Sequence, residues 1–203
     1  MEIIYEKANE ADAKTILEMQ HKLNEMLGLN KDIDEEIFLD YLKQSINSND
    51  TVYYIARLNT EAIGVVSIDF SNSLTVRDVE YSASIPLIFV NKNHRDGKIS
   101  FKLFKLAIEE IIKRNLNSFA MTIEENNPNK YLHFAIADQL IEEREELLEN
   151  GNSTKQYLLG VTDINSINNL SYKDILKRVS YTKRNFDSVL NTISTPNNIT
   201  YKA

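Results

Sequence analysis

Leu87-Ile88-Phe89-Val90, then Asn91-Lys92-Asn93-His94-Arg95-Asp96-Gly97-Lys98-Ile99-Ser100, then Phe101 through Asn115, is the stretch from which the rest of the chain is read. Four consecutive large apolar residues between polar ones suit an interior strand, because a strand buried on both faces loses its polar alternation. Phe101, Phe104, Ile108 and Ile111 recur at three- and four-residue spacings, and Ala107 and Ile112 widen that stripe; Lys102, Lys105, Glu109 and Lys113 take the opposite side of a predicted helix. Glu109 with Lys113 and Glu110 with Arg114 are favourable pairs one turn apart. Between strand and helix, His94, Arg95, Lys98, one glycine and Ser100 set cationic side chains at a helix start, where backbone N–H groups lack intrahelical partners. Such a turn suits a phosphate or pyrophosphate. A solvated basic turn would use the same residue types.

The 203 residues can bury a real core, and 42% apolar, 26% charged residues and a net charge of −7 describe a globular chain that is neither disordered nor built to coat nucleic acid. The expectation is one domain with a modest appendage. No apolar run reaches the length of a membrane span and no secretory leader pattern opens the sequence, so a cytoplasmic protein that binds neither membrane nor nucleic acid is expected. With no cysteine, thiol catalysis and disulfides are excluded. His21, His94 and His133 match no metal-ligand spacing, so no metal is expected.

Upstream, Met1, Ile3 and Tyr5 alternate with Glu2, Ile4 and Glu6 as a first strand ending near Lys7. Asn9 with Asp12 reads as a helix start and Gly28 as its end, with Ile16, Gln20, Leu23 and Leu27 on one stripe. A second helix starts at Asp34, with Ile33 and Phe38 as a hydrophobic staple and Ile37, Phe38, Tyr41 and Leu42 as its buried face. An acidic linker around residues 31–36 is where an acceptor would enter. Residues 51–58 and 62–70 alternate as two strands of a hairpin, and residues 79–85 read as another strand before Pro86, which calls for an edge, a bulge or a fresh strand start.

Downstream, residues 118–123 read as a buried strand, and Asn127-Pro128 opens a short helix carrying Tyr131, His133 and Phe134. Residues 141–148 are read as the first arm of a hairpin with 155–161, although the glutamates favour helix. Residues 162–170 look like a polar linker. Ser171 with Asp174 caps an amphipathic helix to about residue 192, whose apolar face must cover either its own sheet edge or a second copy in a homodimer; the residues after Pro196 are expected to fray.

This order of elements, with its basic turn before a long helix, resembles the GNAT superfamily of acyl-CoA-dependent N-acyltransferases over about residues 1–161. The expected fold class is therefore α/β (α+β), with a mixed, mostly antiparallel sheet flanked by helices and a helical extension over 162–203. The family signature is Arg or Gln, two residues, Gly, one residue, then Gly or Ala. Arg95 matches its first position, whereas Lys98 and Ser100 stand where small residues belong and Gly97 falls one place early. The resemblance implies acetyl-CoA or another acyl-CoA as cosubstrate. Its pyrophosphate would lie on Arg95, Asp96, Gly97, Lys98, Ile99 and Ser100, and its pantetheine arm along the backbone of Phe89 and Val90, with Asn127 and Asn129 at the fourth helix.

The resemblance further implies direct attack of an amine on the thioester. Glu80 is the leading base, with Asp78 and Glu124 behind it; Tyr131 is the acid for the thiolate, with His133 as a weaker one, and the Val90 N–H is the oxyanion donor. The acceptor is expected to be a small-molecule amine or a protein lysine, with acidic residues favouring a cationic one. The alternative reading is an inactive binding or regulatory module on the same fold.

Overall fold

The computed structural model describes residues 2–29, 34–76, 78–148 and 150–194. Met1 of the first strand, the staple residue Ile33, part of the 31–36 linker and the tail beyond Pro196 lie outside the described residues.

β1 (Ile3–Lys7) leads through a single 3-10 turn, Glu10–Asp12, into α1 (Ala13–Leu27). Asn9 and Asp12 form a capping box there: Ala11 N–H donates to the Asn9 side chain at 2.9 Å and Asn9 N–H to the Asp12 carboxylate at 3.0 Å. Gly28 closes α1 in the left-handed region at φ 68. α2 (Glu35–Ser48) starts at Asp34, whose carboxylate accepts from the Glu36 and Ile37 amides. The expected inner face needs correction. Ile37 and Tyr41 are 70% and 51% exposed, because α2 meets α1 and the sheet along Phe38, Leu39, Leu42 and Ile46, a stripe turned one residue further round.

β2 (Thr51–Leu58) and β3 (Glu61–Asp69) form the expected hairpin. β4 (Leu74–Val76) and β5 (Val79–Tyr81) make a small separate hairpin turning at Asp78, and β6 (Ser84–Val90) already includes Ile85 and Pro86. Residues 79–85 are thus divided between two strands rather than forming one. Then come α3 (Lys98–Lys113), β7 (Phe119–Glu124), α4 (Lys130–Ile136), β8 (Gln139–Leu147) and β9 (Ser153–Val161). The glutamate-rich β8 is a strand because β9 supplies a ladder and because Glu142, Glu143 and Glu145 can stay in solvent.

The extension holds α5 (Asn165–Asn168), α6 (Tyr172–Arg184) and α7 (Phe186–Ser194). Two expectations change here. The polar stretch 162–170 contains α5 and buries Ile164 and Ile167. The helix expected over 171–192 breaks at Asn185, whose amide and side-chain nitrogen both bond the Tyr181 carbonyl at 3.0 Å. The break turns Phe186 edge-on to Phe134, with ring centroids 4.8 Å apart, so the apolar side of the extension covers α4 of its own chain.

The main sheet runs β1-β2-β3-β6-β7-β9-β8, and only β6 with β7 is parallel. One face packs on α1 and α2 through Ile16, Leu23, Leu42, Tyr53, Ile55, Val65, Leu87 and Phe89. The other carries α3, α4 and the extension, with Val66, Ile88, Leu103, Ile108, Phe119, Phe134, Ile175 and Ile193 in one cluster. That β6 feeds both clusters explains the four-residue apolar run.

The far end of α3 is fixed by a buried carboxylate. Glu110, 6% exposed, accepts from Tyr54 Oη of β2 at 3.1 Å and faces Arg114 Nε at 3.5 Å. Arg114 in turn donates to the Asn49 carbonyl at 3.0 Å and lies 3.6 Å over the Phe70 ring. Burial and the Glu110 charge push the Tyr54 hydroxyl up to about 12.

Candidate active site

β6 contains one residue more than the strand it faces. Asp69 of β3 pairs with Ser84 and Ser67 with Leu87, so two positions on β3 span three on β6. The extra residue falls at Ile85-Pro86, and it flips the alternation: Ile85, Ile88 and Val90 reach one core cluster, Leu87 and Phe89 the other. Of the three outcomes left open for Pro86, the structure takes the bulge.

The bulge also ends the parallel pairing. β6 and β7 match only at Ser84↔Ala120 and Ile85↔Met121, after which the strands diverge. Beyond it, Asn91 N–H donates to the Ile63 carbonyl of β3 at 2.8 Å. Strand alternation then turns the amide groups of Ile88 and Val90 away from β3 and into the fork, where β7 gives them no ladder partner.

A cavity of about 210 Å³ opens at the fork, lined by Ile85, Pro86 and Ile88 of β6 and by Thr122, Ile123 and Glu124 of β7. Gln20 and Asn24 reach it from α1, Asn127 and His133 from the region of α4, and Arg144 and Gln156 from the last hairpin. A wider depression of about 500 Å³ lies on α1 and α2, lined by Glu10, Lys14, Leu39 and Lys43, away from the fork.

Glu124 is 9% exposed, and its Oε1 accepts from Gln156 Nε2 at 3.1 Å; Gln156 Oε1 accepts from Arg144 Nε at 2.6 Å. Among the described residues Glu124 has no ion-pair partner, so a buried carboxyl group borders the cavity. His133 is 4% exposed with Nδ1 at 3.1 Å from the Asn129 carbonyl. Burial holds its pKa below the usual 6.5 against the opposing pull of that carbonyl and of Glu124. The neutral ring therefore donates through Nδ1 and keeps its lone pair on Nε2. Asn24 accepts from Gln20 Nε2 at 3.1 Å, while its own Nδ2 is buried without a hydrogen-bond partner. Asn126 Nδ2 donates to the Leu27 carbonyl at 2.7 Å, which joins α1 to the loop after β7 beside the cavity.

At the other end of β6, Gly97 adopts φ 83 and starts α3 at Lys98. The Lys98 amide donates to Asp96 Oδ1 at 2.9 Å, and the Gly97 carbonyl accepts from Phe101 N–H and from Ser100 Oγ, both at 3.1 Å. Arg95 folds back over β6: its Nε donates to the Val90 carbonyl at 2.8 Å and its guanidinium lies 5.5 Å from the Phe89 ring centroid. Lys98 is exposed.

Of the residues expected to hold the cosubstrate, Asn127 lines the cavity and its Oδ1 accepts from Asn129 N–H at 2.9 Å; Phe89 and Val90 lie on β6, and the turn 95–100 follows its end. It does not bring Glu80 or Tyr131 to the cavity. Glu80 is exposed on β5, accepts from Ser82 Oγ at 2.7 Å, and its carbonyl is held by the Ser118 hydroxyl at the paired end of β7. Asp78 occupies the tight turn beside it. Tyr131 stands edge-on to Phe186 at 5.7 Å with Lys130 Nζ at 5.4 Å from its own ring. The groups that do line the cavity include Glu124, ranked third as base, and His133, the weaker candidate acid, and four residues that sequence reasoning missed as site residues: Gln20, Asn24, Arg144 and Gln156. Gln20 carried a signal, being a polar residue on the apolar stripe of α1.

A family model described as "Acetyltransferase (GNAT) family" matches residues 16–134. Among solved structures, YncA of Salmonella typhimurium, with its cofactor acetyl-CoA, is 14% identical at a TM-score of 0.61, covering 80% of this chain and 94% of its own. An N-acetyltransferase from Staphylococcus aureus Mu50 is 12% identical at a TM-score of 0.63, over 81% of this chain and 99% of its own. The PaiA N-acetyltransferase of Thermoplasma acidophilum, in complex with coenzyme A, is 14% identical at 0.54, over 80% and 99%. No curated protein matches the sequence.

Proposed function

The chain belongs to the acetyltransferase (GNAT) family, and from that premise we propose that it transfers an acetyl group from acetyl-CoA to a primary amine. The observation that carries this reading is the fork: a bulge at Pro86 opens β6 from β7, aims backbone amides into the gap, and leads to a glycine-turned helix start. An extended amide-bearing arm needs such backbone groups, and a pyrophosphate needs such a helix start. The residues fit the cosubstrate in kind. Ile88 and Val90 would bond its arm, the free first-turn amides after Lys98 would meet its pyrophosphate, and Arg95 and Lys98 would add positive charge.

In the chemistry proposed here, the amine nitrogen bonds to the thioester carbonyl carbon and the carbon–sulfur bond breaks. Bound acetyl-CoA supplies the activated acyl group; this chain's residues orient the amine and move protons. His133 Nε2 takes the proton released by the amine and returns one to the sulfur, so a single imidazole fills the two roles first assigned to Glu80 and Tyr131. Glu124 draws a cationic amine to the cavity and stabilises the imidazolium. The backbone amide of Ile88 or Val90 donates to the developing oxyanion. Asn24 Nδ2 suits an acceptor that carries an oxygen near its amine, because such an oxygen would satisfy a buried donor.

The test is acetyl transfer by the purified chain to a panel of small amines and peptides, followed by mass spectrometry, together with calorimetric titration of coenzyme A. The expected result is binding between roughly 1 µM and 1 mM and a product heavier by one acetyl group. Absence of binding at millimolar coenzyme A would sink the reading. Lys98 and Ser100, at positions that are small in the family signature, favour as second reading a module that binds coenzyme A without turnover.

A further inference from the structure

The turn that would receive the pyrophosphate already has protein groups on it, from two sources. The first is local: the Asp96 carboxylate accepts from the Lys98 amide at 2.9 Å, so a negative charge caps the start of α3 where an incoming diphosphate would compete for the same donor. The second comes from the far end of the chain. Tyr172, the first residue of α6, donates its hydroxyl to the Asp96 carbonyl at 3.0 Å and lays its ring against Phe101 at 5.3 Å. That hydroxyl sits so close to the glycine that a Cβ built on Gly97 would lie 2.9 Å from it.

We propose that residues 165–194 are a built-in competitor for the cofactor site, latched by Tyr172 over the Asp96–Gly97 turn, so that the nucleotide end of coenzyme A and the latched extension exclude one another. This inference rests on the acetyl-CoA reading above. The extension spans the two helices that flank the fork on this face. On one side the Lys105 ammonium of α3 donates to the Asn168 carbonyl; on the other, Phe186 meets Phe134 and Tyr131 of α4, with Lys130 Nζ at 5.2 Å from the Phe186 ring. The extension thus touches α3, the Asp96–Gly97 turn and α4 together.

The attachment is shallow at the latch and firm behind it. Of the 13 residues of α6 only Ile175 and Thr182 are buried, and Leu176 and Tyr181 are 44% and 56% exposed. Ile164 and Ile167 ahead of it and Ile193 behind it are in the core. Few buried apolar contacts make α6 the part that opens at low cost, while both of its ends stay anchored.

The test is calorimetry of coenzyme A with the full chain and two conservative variants, together with hydrogen exchange of the unaltered chain. Tyr172→Phe keeps the ring on Phe101 and removes only the hydroxyl; the expected gain is roughly two- to tenfold in affinity, the worth of one net hydrogen bond. Asp96→Asn keeps the cap on Lys98 and removes only the charge, and an increase of roughly tenfold is expected. In the unaltered chain, coenzyme A should speed amide exchange across residues 172–184. Unchanged or weaker binding by both variants, or protection of 172–184 by coenzyme A, would overturn the latch while leaving the transferase reading intact, since Tyr172 would then be a wall of the site. No binding by any of the three proteins would overturn both.

Discussion

The two ends of β7, a strand of six residues, are physically unlike. At the start, Ala120 and Met121 pair with Ser84 and Ile85, and Ala120 N–H donates to the Ala83 carbonyl at 2.9 Å; Phe119 is fully buried against Phe104, centroids 6.2 Å apart, and the Ser118 hydroxyl closes on the Glu80 carbonyl. At the finish, Glu124 has no parallel partner and is surrounded by Gln156, His133 and Asn127. The same strand is core at one end and site at the other. What divides them is one extra residue in β6, which shows that a cleft can be made by a register fault rather than by an inserted loop.

Damage at the two ends should therefore read out differently. The largest expected effect is at the open end: His133→Gln, close in size and unable to cycle a proton at neutral pH, should lower kcat for acetyl transfer by about 10²- to 10⁴-fold with coenzyme A affinity little changed. A comparable loss in affinity instead would assign His133 to binding and blur the contrast. Next comes the closed end, where Phe119→Ala should destabilise the fold by about 3–5 kcal/mol in urea titrations while the protein that remains folded keeps its turnover. A turnover defect at permissive temperature would mean that packing at the closed end sets the fork.

The smallest effect is in pH. His133 is held neutral by burial, with a folded pKa below the ordinary 6.5, so below that value the unfolded chain takes up protons more readily than the folded one. Stability should therefore be fully present above pH 6.5 and decline as pH falls through the folded pKa, and His133→Gln should flatten that part of the profile. An unchanged slope in the variant would place the acid sensitivity elsewhere.

Much of this was legible in the sequence, and the exceptions share a cause. Residues 87–90 could be read because burial on both faces leaves an unbroken apolar run, and the hairpin 139–161 because turn residues outweighed glutamate propensity. Ile37 and Tyr41 were misread because two apolar stripes overlap on α2 and only packing against α1 chooses between them. The break at Asn185 was hidden because the amphipathic period runs straight through it. In the site, Glu80 looked close to β6 in sequence, but the β4–β5 hairpin delivers it to the closed end. Arg144 and Gln156 could not be found at all, since they meet through cross-strand register and enter the cavity only when β9 pairs with β7. Local pattern identifies elements; convergence from four separate segments is a tertiary property.

The buried Glu110 has a mechanical consequence. With its carboxylate pinned to Tyr54 and Arg114, and Arg114 pinned in turn to Asn49 and Phe70, the trailing end of α3 is bolted to the first half of the sheet. α3 then behaves as a fixed pier: its leading edge keeps station as the latch swings, and the work of admitting a nucleotide falls on the gate rather than on the gatepost.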